Sequence, residues 1–181
     1  MLLDLELNYM LDSLITSKTR LRLLVKFFVN AANRGHMRGL AEEFNESTNA
    51  IRKELNNLSE AGYLEKKADR NRVSYRANVK HPLFGSLQDI VHKYLGLDTI
   101  VTRVLDRMGD VHQVVLTGDY AEGRDSGIIE VTIVGPELNT AYLSQLAPKV
   151  KELAKREVRF TLSDRKTDAG LVLYEKEEEI E

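Results

Sequence analysis

TNAIRKELNNLSEAGYLEKKADRNRVSYRAN, residues 48–78, changes partway along from a helical to a strand-like pattern. Ile51, Leu55 and Leu58 recur at the spacing of one helix face. Ser47 stands just before this run, where its hydroxyl can accept a hydrogen bond from a free backbone N–H. We therefore predict a helix that begins after Ser47 and buries one side.

Beyond this helix the pattern is that of a hairpin. Gly62 ends the helix, and two short β-prone runs follow, joined by a charged, turn-prone loop around Ala68–Asn71. The hairpin and its start carry a cluster of cations: Lys66, Lys67, Arg70, Arg72 and Arg76. The face of the helix opposite the apolar stripe carries amides and cations: Asn49, Arg52, Lys53 and Asn56. Both surfaces are therefore polar or basic.

Two helices are expected upstream. Residues 17–33 place apolar side chains at helical spacing, namely Leu21, Leu24, Val25, Phe28 and Val29, and Asn33, Arg34 and Gly35 end this helix. Residues 36–45 predict a short second helix with one apolar face, formed by Met37, Leu40, Ala41 and Phe44. The order helix, helix, tight turn, helix, basic hairpin is typical of a winged helix-turn-helix, which we expect over residues 17–81.

This arrangement predicts a DNA-binding surface. The third helix would enter a major groove, while the hairpin cations would meet phosphates or a minor groove. The expected contacts are Ser47, Thr48, Asn49, Arg52, Lys53, Asn56, Lys66, Lys67, Arg70, Arg72 and Arg76. Taken singly, each charged residue also fits an ordinary solvated surface. A winged helix that binds only protein is a further alternative.

The charge distribution favours a nucleic-acid partner for one part of the chain. Residues 17–81 carry 14 Lys and Arg against 7 Asp and Glu, whereas residues 82–181 carry 12 against 18. The total of −2 therefore hides a basic module joined to an acidic one. Local charge, and not the total, decides whether DNA is attracted.

The composition excludes several other classes of protein. A chain of 181 residues that is 43% hydrophobic and 30% charged can form one large or two small globular domains. With no cysteine and four scattered histidines, neither a disulfide nor a metal site is expected. No apolar run approaches the about 20 residues of a membrane span, and the N-terminus lacks the pattern of a signal peptide. We expect a cytoplasmic protein without cofactors.

The first module resembles prokaryotic winged-helix transcriptional regulators of the ArsR-like type. The resemblance rests on SKTRLRLLVKFFVN, MRGLAEEFNESTNAIRKELNNLSEAGYL and the hairpin. Its ending YRANVKHPLF, residues 75–84, is similar to a subgroup whose winged helix is fused to a nucleotidyltransferase-like domain. Metal-sensing members of the wider group use Cys or His ligands, so metal sensing is not carried over to this cysteine-free chain.

The remaining chain predicts a helical linker and a small sheet domain. Residues 82–108 are helical in pattern, with a possible break at Gly96. Residues 109–175 follow the order strand, strand, helix, strand, strand, which indicates a small α/β domain, and residues 176–181 form an acidic tail. The whole chain is therefore expected to be α+β, with the sheet domain serving dimerisation, ligand sensing or partner binding.

In the nucleotidyltransferase resemblance, a Gly-Ser turn cradles phosphates and an Asp-x-Asp strand holds Mg²⁺. The matching positions here are Gly118, Asp119, Gly123, Ile128 and Glu130. Asp119 would repel a triphosphate, Ile128 cannot bind metal, and Arg159 stands near the expected third carboxylate. We therefore expect a degenerate scaffold without catalytic residues, in which Glu130 can form an ion pair with Arg159. The alternatives are an ordinary turn and an active, toxin–antitoxin-related nucleotidyltransferase targeted by the winged helix.

The first residues predict self-association. Residues 1–16 form an apolar helical stripe that has no partner in the basic module: Leu3, Leu7, Met10, Leu11 and Leu14. Winged-helix regulators commonly read two half-sites as symmetric dimers. A homodimer through this helix, the linker helix or both is therefore expected, and the alternative is that the stripe packs on its own domain.

Overall fold

The structure, a computed structural model, describes residues 9–177 and is mixed α+β with two sheets. Residues 9–14 are helical. The elements that follow are α1 (Lys18–Phe28), β1 (Gly35–His36), α2 (Met37–Phe44), α3 (Thr48–Glu60), β2 (Leu64–Asp69), β3 (Arg72–Ala77), α4 (Phe84–Leu95), α5 (Leu97–Arg107), β4 (Gln113–Thr117), α6 (Gly118–Ala121), β5 (Ile128–Val134), a 3₁₀ turn (Thr140–Tyr142), α7 (Leu143–Ala154), β6 (Glu157–Ser163) and β7 (Leu171–Glu175).

The described chain divides into two compact units, and the division falls within α4. The first unit runs from Tyr9 to Val91, and the second begins at His92. Among the described residues, we find no helix with the length and apolar character that crossing a membrane requires.

The first unit packs three helices and a small antiparallel sheet around one core. The sheet has the order β1-β3-β2. The largest fully buried side chains of this unit come from all three helices: Leu23, Phe27, Phe28, Leu40, Ile51 and Leu55. The stripe of α3 is therefore buried as its spacing predicts. Ser47 caps α3, because its hydroxyl accepts a hydrogen bond from Ala50 N at 3.2 Å.

Charge-assisted hydrogen bonds tie α1 to the other two helices. The Glu54 carboxylate of α3 accepts hydrogen bonds from Ser17 Oγ at 3.0 Å and from Arg20 Nε at 2.8 Å. Toward α2, Lys26 Nζ of α1 lies 3.1 Å from the Glu43 carboxylate. Since Glu54 and Lys26 are both buried, these charge-assisted bonds fix how α3 and α2 are held against α1.

The first unit differs from the sequence expectations in its connections. The first helix ends at Phe28, before Asn33, because the Asn33 side chain donates to the Lys26 carbonyl at 2.8 Å and so competes with further helix. The short strand β1 was not predicted, since its two residues are too few to show a periodic pattern. The turn of the hairpin consists only of Arg70 and Asn71, because Ala68 is already paired with Val73 in the ladder.

The second unit is built on a four-stranded sheet with the order β6-β5-β4-β7. Strands β5 and β6 are parallel, while β4 is antiparallel to both of its neighbours. The expected order of two strands, a helix and two strands is observed, with the one-turn helix α6 added between β4 and β5. The buried side chains come from α5, α7 and the two central strands, including Ile100, Val104, Val114, Leu116, Ile129, Ile133, Leu146 and Val150.

The predicted break at Gly96 separates α4 from α5. Gly96 has a φ of +73°, a conformation that side chains disfavour. A Cβ at this position would also lie 3.3 Å from the Cα of Ala154. The glycine therefore permits both the change of helix direction and the close approach of α7.

Candidate nucleic-acid interface

One face of α3 is free for recognition because the other face is fully used in the core. Asn49, Arg52 and Lys53 are exposed and Asn56 is half-buried, and these four residues form the polar face of α3. Arg52 Nη1 donates to Asn49 Oδ1 at 3.3 Å, so an amide and a guanidinium are presented side by side. Such groups match the donors and acceptors of base edges in a major groove.

The N-terminal end of α3 is accessible as well. Ser47 and Thr48 are both exposed, and Ser47 Oγ is already occupied as the helix cap. The turn before it contains Asn45 in the left-handed conformation, with a φ of 52°. The start of α3 therefore lies at the surface, on the side from which a recognition helix is expected to approach DNA.

The cations of the β2–β3 hairpin fall into two groups. Arg76 forms an ion pair with Glu65 at 2.9 Å, and Lys66 lies over the Tyr75 ring, 5.9 Å from its centroid. Lys67, Arg70 and Arg72 are exposed and have no ion-pair partner among residues 9–177. The second group is therefore the better placed to meet phosphate.

Internal ion pairs concentrate the positive charge of the first unit on this surface. Four of the seven carboxylates in residues 17–81 are paired within the unit, as Glu43 with Lys26, Glu46 with Arg22, Glu54 with Arg20 and Glu65 with Arg76. Three of those four cations belong to α1. Among residues 17–81, the polar face of α3 and the hairpin therefore carry six of the ten cations that have no ion-pair partner within the described chain.

A cleft beside the hairpin contains a residue that the sequence did not single out. It has a volume of about 530 Å³ and is lined by His36, Asp69, Arg70, Asn71 and Arg72, and we call it the hairpin cleft. His36 Nδ1 lies 3.1 Å from the Val73 carbonyl oxygen. No pattern could have identified His36, because β1 brings it to the hairpin across 37 residues of chain.

The turn after β4 is stabilised by its own side chains. Gly118 opens α6 with a φ of +66°, and Asp119 forms an ion pair with Arg124 at 2.8 Å. Hydrogen bonds from Arg124 and Ser126 hold the pKa of Asp119 below its usual value. From the sequence, Asp119 is expected to repel phosphate as an isolated charge, but in the structure Arg124 offsets that charge. Gly123, with a φ of +73°, lies in the same turn.

The other positions of the nucleotidyltransferase resemblance do not assemble a metal site. Glu130 is half-buried and lies against Gly118, so closely that a Cβ on Gly118 would collide with its carboxylate. The expected ion pair between Glu130 and Arg159 is wrong: the two are neighbours in register, but Arg159 Nε lies 3.0 Å from Glu157. Glu157 lies two residues from Arg159 and is exposed as Arg159 is, whereas Glu130 is half-buried. Ile128, half-buried, has no group to offer a metal.

A polar network around the buried Tyr120 supports the same turn. The hydroxyl of Tyr120 bonds to Asp125, accepts from Gly127 N at 3.1 Å and accepts from Arg156 Nε at 2.9 Å. The Arg156 guanidinium also lies over the Tyr94 ring, 5.3 Å from its centroid. Burial, together with the neighbouring Asp125 carboxylate, raises the pKa of Tyr120 to about 12. All of these groups have partners, which indicates a structural role.

Within the described residues there is no group of three or more His, Asp or Glu side chains that could hold a metal ion. Comparisons with protein-family models, with curated proteins and with solved structures gave no match for this chain.

Proposed function

We propose that this chain is a cytoplasmic DNA-binding transcriptional regulator, with a winged helix-turn-helix in its first unit. The helical stretch 82–108 spans the boundary between this unit and a second unit that resembles a nucleotidyltransferase domain without its catalytic groups. The second unit would serve dimerisation, ligand sensing or partner binding.

The observation that carries the proposal is the polar face of α3. Asn49, Arg52 and Lys53 are exposed on this face, while the opposite side is buried and tied to α1 through Glu54. The neighbouring hairpin adds Lys67, Arg70 and Arg72 without ion pairs inside the described chain. Sequence-specific binding to duplex DNA requires a rigid helix whose side chains can bond to base edges, together with nearby cations that can contact phosphates.

The order of elements supports the same proposal. The first unit runs α1, β1, α2, α3, β2, β3, with the two long strands forming the hairpin. This is the order expected of a winged helix-turn-helix, in which α3 is the recognition helix. A domain that binds only protein would share this order, so the distinction rests on salt-dependent binding to DNA.

The experiment is a selection of preferred sequences from random duplex DNA, followed by affinity measurements on single variants. Asn49→Ala and Arg52→Ala should each cost about 1–3 kcal/mol at the preferred site and relax sequence preference. Arg72→Ala should weaken binding to all sequences and reduce the salt slope by about one unit. Arg76→Ala is the matched control, and it should cost less because Glu65 already engages that guanidinium.

The surface assignment fails if the Asn49, Arg52 and Arg72 variants all bind like the unmodified chain. Binding that is independent of salt and sequence would also contradict a role for the polar face of α3.

The second part of the proposal has its own test. With Ile128 at the first metal position, Arg159 near the third and Glu130 against Gly118, only one carboxylate remains for Mg²⁺. Mg²⁺ with ATP, GTP or CTP should therefore leave the melting temperature unchanged, and labelled nucleotide should not be transferred to protein or RNA. Nucleotide transfer that Glu130→Ala abolishes would overturn this part and identify the chain as an enzyme.

A further inference from the structure

His36 lines the hairpin cleft, and the Val73 carbonyl oxygen determines which nitrogen of its ring carries the hydrogen. His36 Nδ1 lies 3.1 Å from the Val73 carbonyl oxygen, which can only accept a hydrogen bond. Nδ1 therefore carries the hydrogen, and in a neutral ring Nε2 holds a lone pair. Within residues 9–177, Nε2 has no hydrogen-bond partner, and the ring is half-buried at the wall of the cleft.

The charged groups that face this cleft come from the tip of the hairpin. Arg70 and Arg72 contribute two cations and Asp69 one anion, and none of the three has an ion pair within the described chain. Asn71 adds an uncharged amide. His36 itself precedes the first residue of α2, so the positive end of that helix lies beside it. The cleft is therefore net positive and rich in donors.

We propose that the hairpin cleft binds one phosphodiester of the DNA backbone and that His36 takes up a proton when it does so. A phosphodiester is an anion that only accepts hydrogen bonds, so the lone pair of a neutral Nε2 would repel it. A proton from solvent on Nε2 converts that nitrogen into a charged donor, beside Arg70 and Arg72. The proton returns to solvent when DNA leaves. This site rests on the proposed DNA-binding function and adds a contact that reads no base.

The experiment measures proton uptake directly with the full-length chain and a random-sequence duplex of about two helical turns. Binding enthalpies in two buffers with different enthalpies of ionisation give the number of protons taken up. Affinity is measured at about pH 6 and about pH 8, the range in which an imidazole changes charge. The unmodified chain should take up a proton and bind more tightly at the lower pH, by up to about tenfold per pH unit.

Two variants fix the charge at this position. His36→Asn keeps an N–H for the Val73 carbonyl but cannot become a cation, and it should lose both the proton uptake and the gain in affinity at low pH. His36→Lys is always charged, and it should bind at about pH 8 as tightly as the unmodified chain does at about pH 6. If a variant melts early, the ring-proton signal of His36 in the unmodified chain replaces it. DNA should move that signal to its imidazolium position at neutral pH.

The outcomes separate this site from the proposed function. If the chain binds DNA but His36→Asn takes up the same number of protons with the same affinity, the phosphodiester site is wrong and DNA binding stands. If inorganic phosphate alone moves the His36 signal as far as DNA does, the cleft is a site for the free anion. If the unmodified chain binds no duplex at either pH, both proposals fail.

Discussion

Arg70 holds a backbone conformation that suits glycine better than arginine. Its φ is +54°, at the first position of the two-residue hairpin turn. A residue with a side chain is strained there, which suggests that the guanidinium and not the backbone is what the position needs. Arg70→Gly should therefore keep or raise the melting temperature. The free energy of unfolding should rise by up to about 1 kcal/mol. It should weaken DNA binding as much as Arg70→Ala does.

The comparison of glycine with alanine separates folding from binding at one residue. Thermal unfolding and DNA titrations of both variants provide the measurement. A glycine variant that unfolds more easily than the alanine variant would show that the side chain supports the turn, and full DNA affinity in either variant would remove Arg70 from the interface.

Tyr120 predicts how the second unit responds to alkaline pH. Its pKa is raised from 10.0 to about 12 because the phenol is buried and bonded to Asp125. Between these two values the unfolded chain releases the phenol proton and the folded chain keeps it. The stabilisation, at most about 3 kcal/mol, is therefore complete below pH 10 and is lost as the pH rises toward 12.

Tyr120→Phe tests this dependence in thermal melts from about pH 9 to about pH 12. The variant should be less stable than the unmodified chain below pH 10, because Gly127 and Arg156 lose a partner, and its stability should fall less steeply above it. Tyr94→Phe is the control, since its ring remains under Arg156. Equal slopes for all three chains would contradict the assigned role of Tyr120.

At the scale of single elements, the parts of the first unit that sequence could predict are those with a repeating pattern. The stripe of Ile51, Leu55 and Leu58 placed α3 and its polar face, since opposite faces of a helix are fixed by one period. Composition predicts the hairpin, but it places the turn over Ala68–Asn71, which is wider than the two residues observed. Strand β1 could not be predicted, because it exists only through its pairing with β3.

The candidate site was predictable to the same extent. Position on an exposed face follows from spacing, and the exposure of Arg52 and Lys53 agrees with it. Which cations are engaged does not follow from spacing, because it depends on partners that folding brings near. Arg76 is paired with Glu65 across two strands, and His36 reaches the hairpin through β1.

Glu54 gives a test of how α3 is held. Its carboxylate is buried and bonds to Ser17 and Arg20, on the side of α3 that faces away from the proposed DNA surface. Glu54→Gln should lower the free energy of unfolding by about 1–2 kcal/mol, because an amide cannot replace the charged bond to Arg20. We expect DNA affinity to fall as well, since the polar face of α3 would no longer be held in one orientation.

The matched control is Glu60→Gln, an exposed carboxylate on the same helix. Denaturant unfolding and DNA titration should leave this control close to the unmodified chain. If the two glutamine variants behave alike, the bonds between α1 and α3 do not determine the position of α3.

At the scale of the whole molecule, the positive and negative charges are unevenly distributed, so DNA can be attracted only by the basic part of the chain. The basic surplus lies in residues 17–81 and the acidic surplus in residues 82–181, so a chain with a net charge of −2 can still attract DNA through one unit. Because the surplus is spread over exposed cations, salt should weaken the attraction steeply.

The apolar residues near the start of the chain point to self-association. Tyr9, Met10 and Leu14 are 77%, 59% and 77% exposed, whereas Leu11 is buried at 6%. Leu3 and Leu7, which belong to the same predicted stripe, lie outside the described residues. Leu11 therefore packs within its own chain, whereas Tyr9, Met10 and Leu14 expose apolar surface to water, which is unfavourable.

We propose that these exposed side chains contribute to a homodimer, which would present two copies of α3 to two half-sites of DNA. The double variant Met10→Gln with Leu14→Gln removes apolar surface without touching the core, so it should shift the chain from dimer to monomer in light scattering at micromolar concentration. Its melting temperature measured on the monomer should change little. Leu11→Gln is the contrasting control, because it buries an amide, and the variant should unfold more easily.

A chain that is monomeric at micromolar concentration, and that stays so when residues 1–12 are deleted, has no dimer through this segment. In that case the two half-sites would have to be read by separate monomers, and DNA affinity should then be unaffected by the double variant.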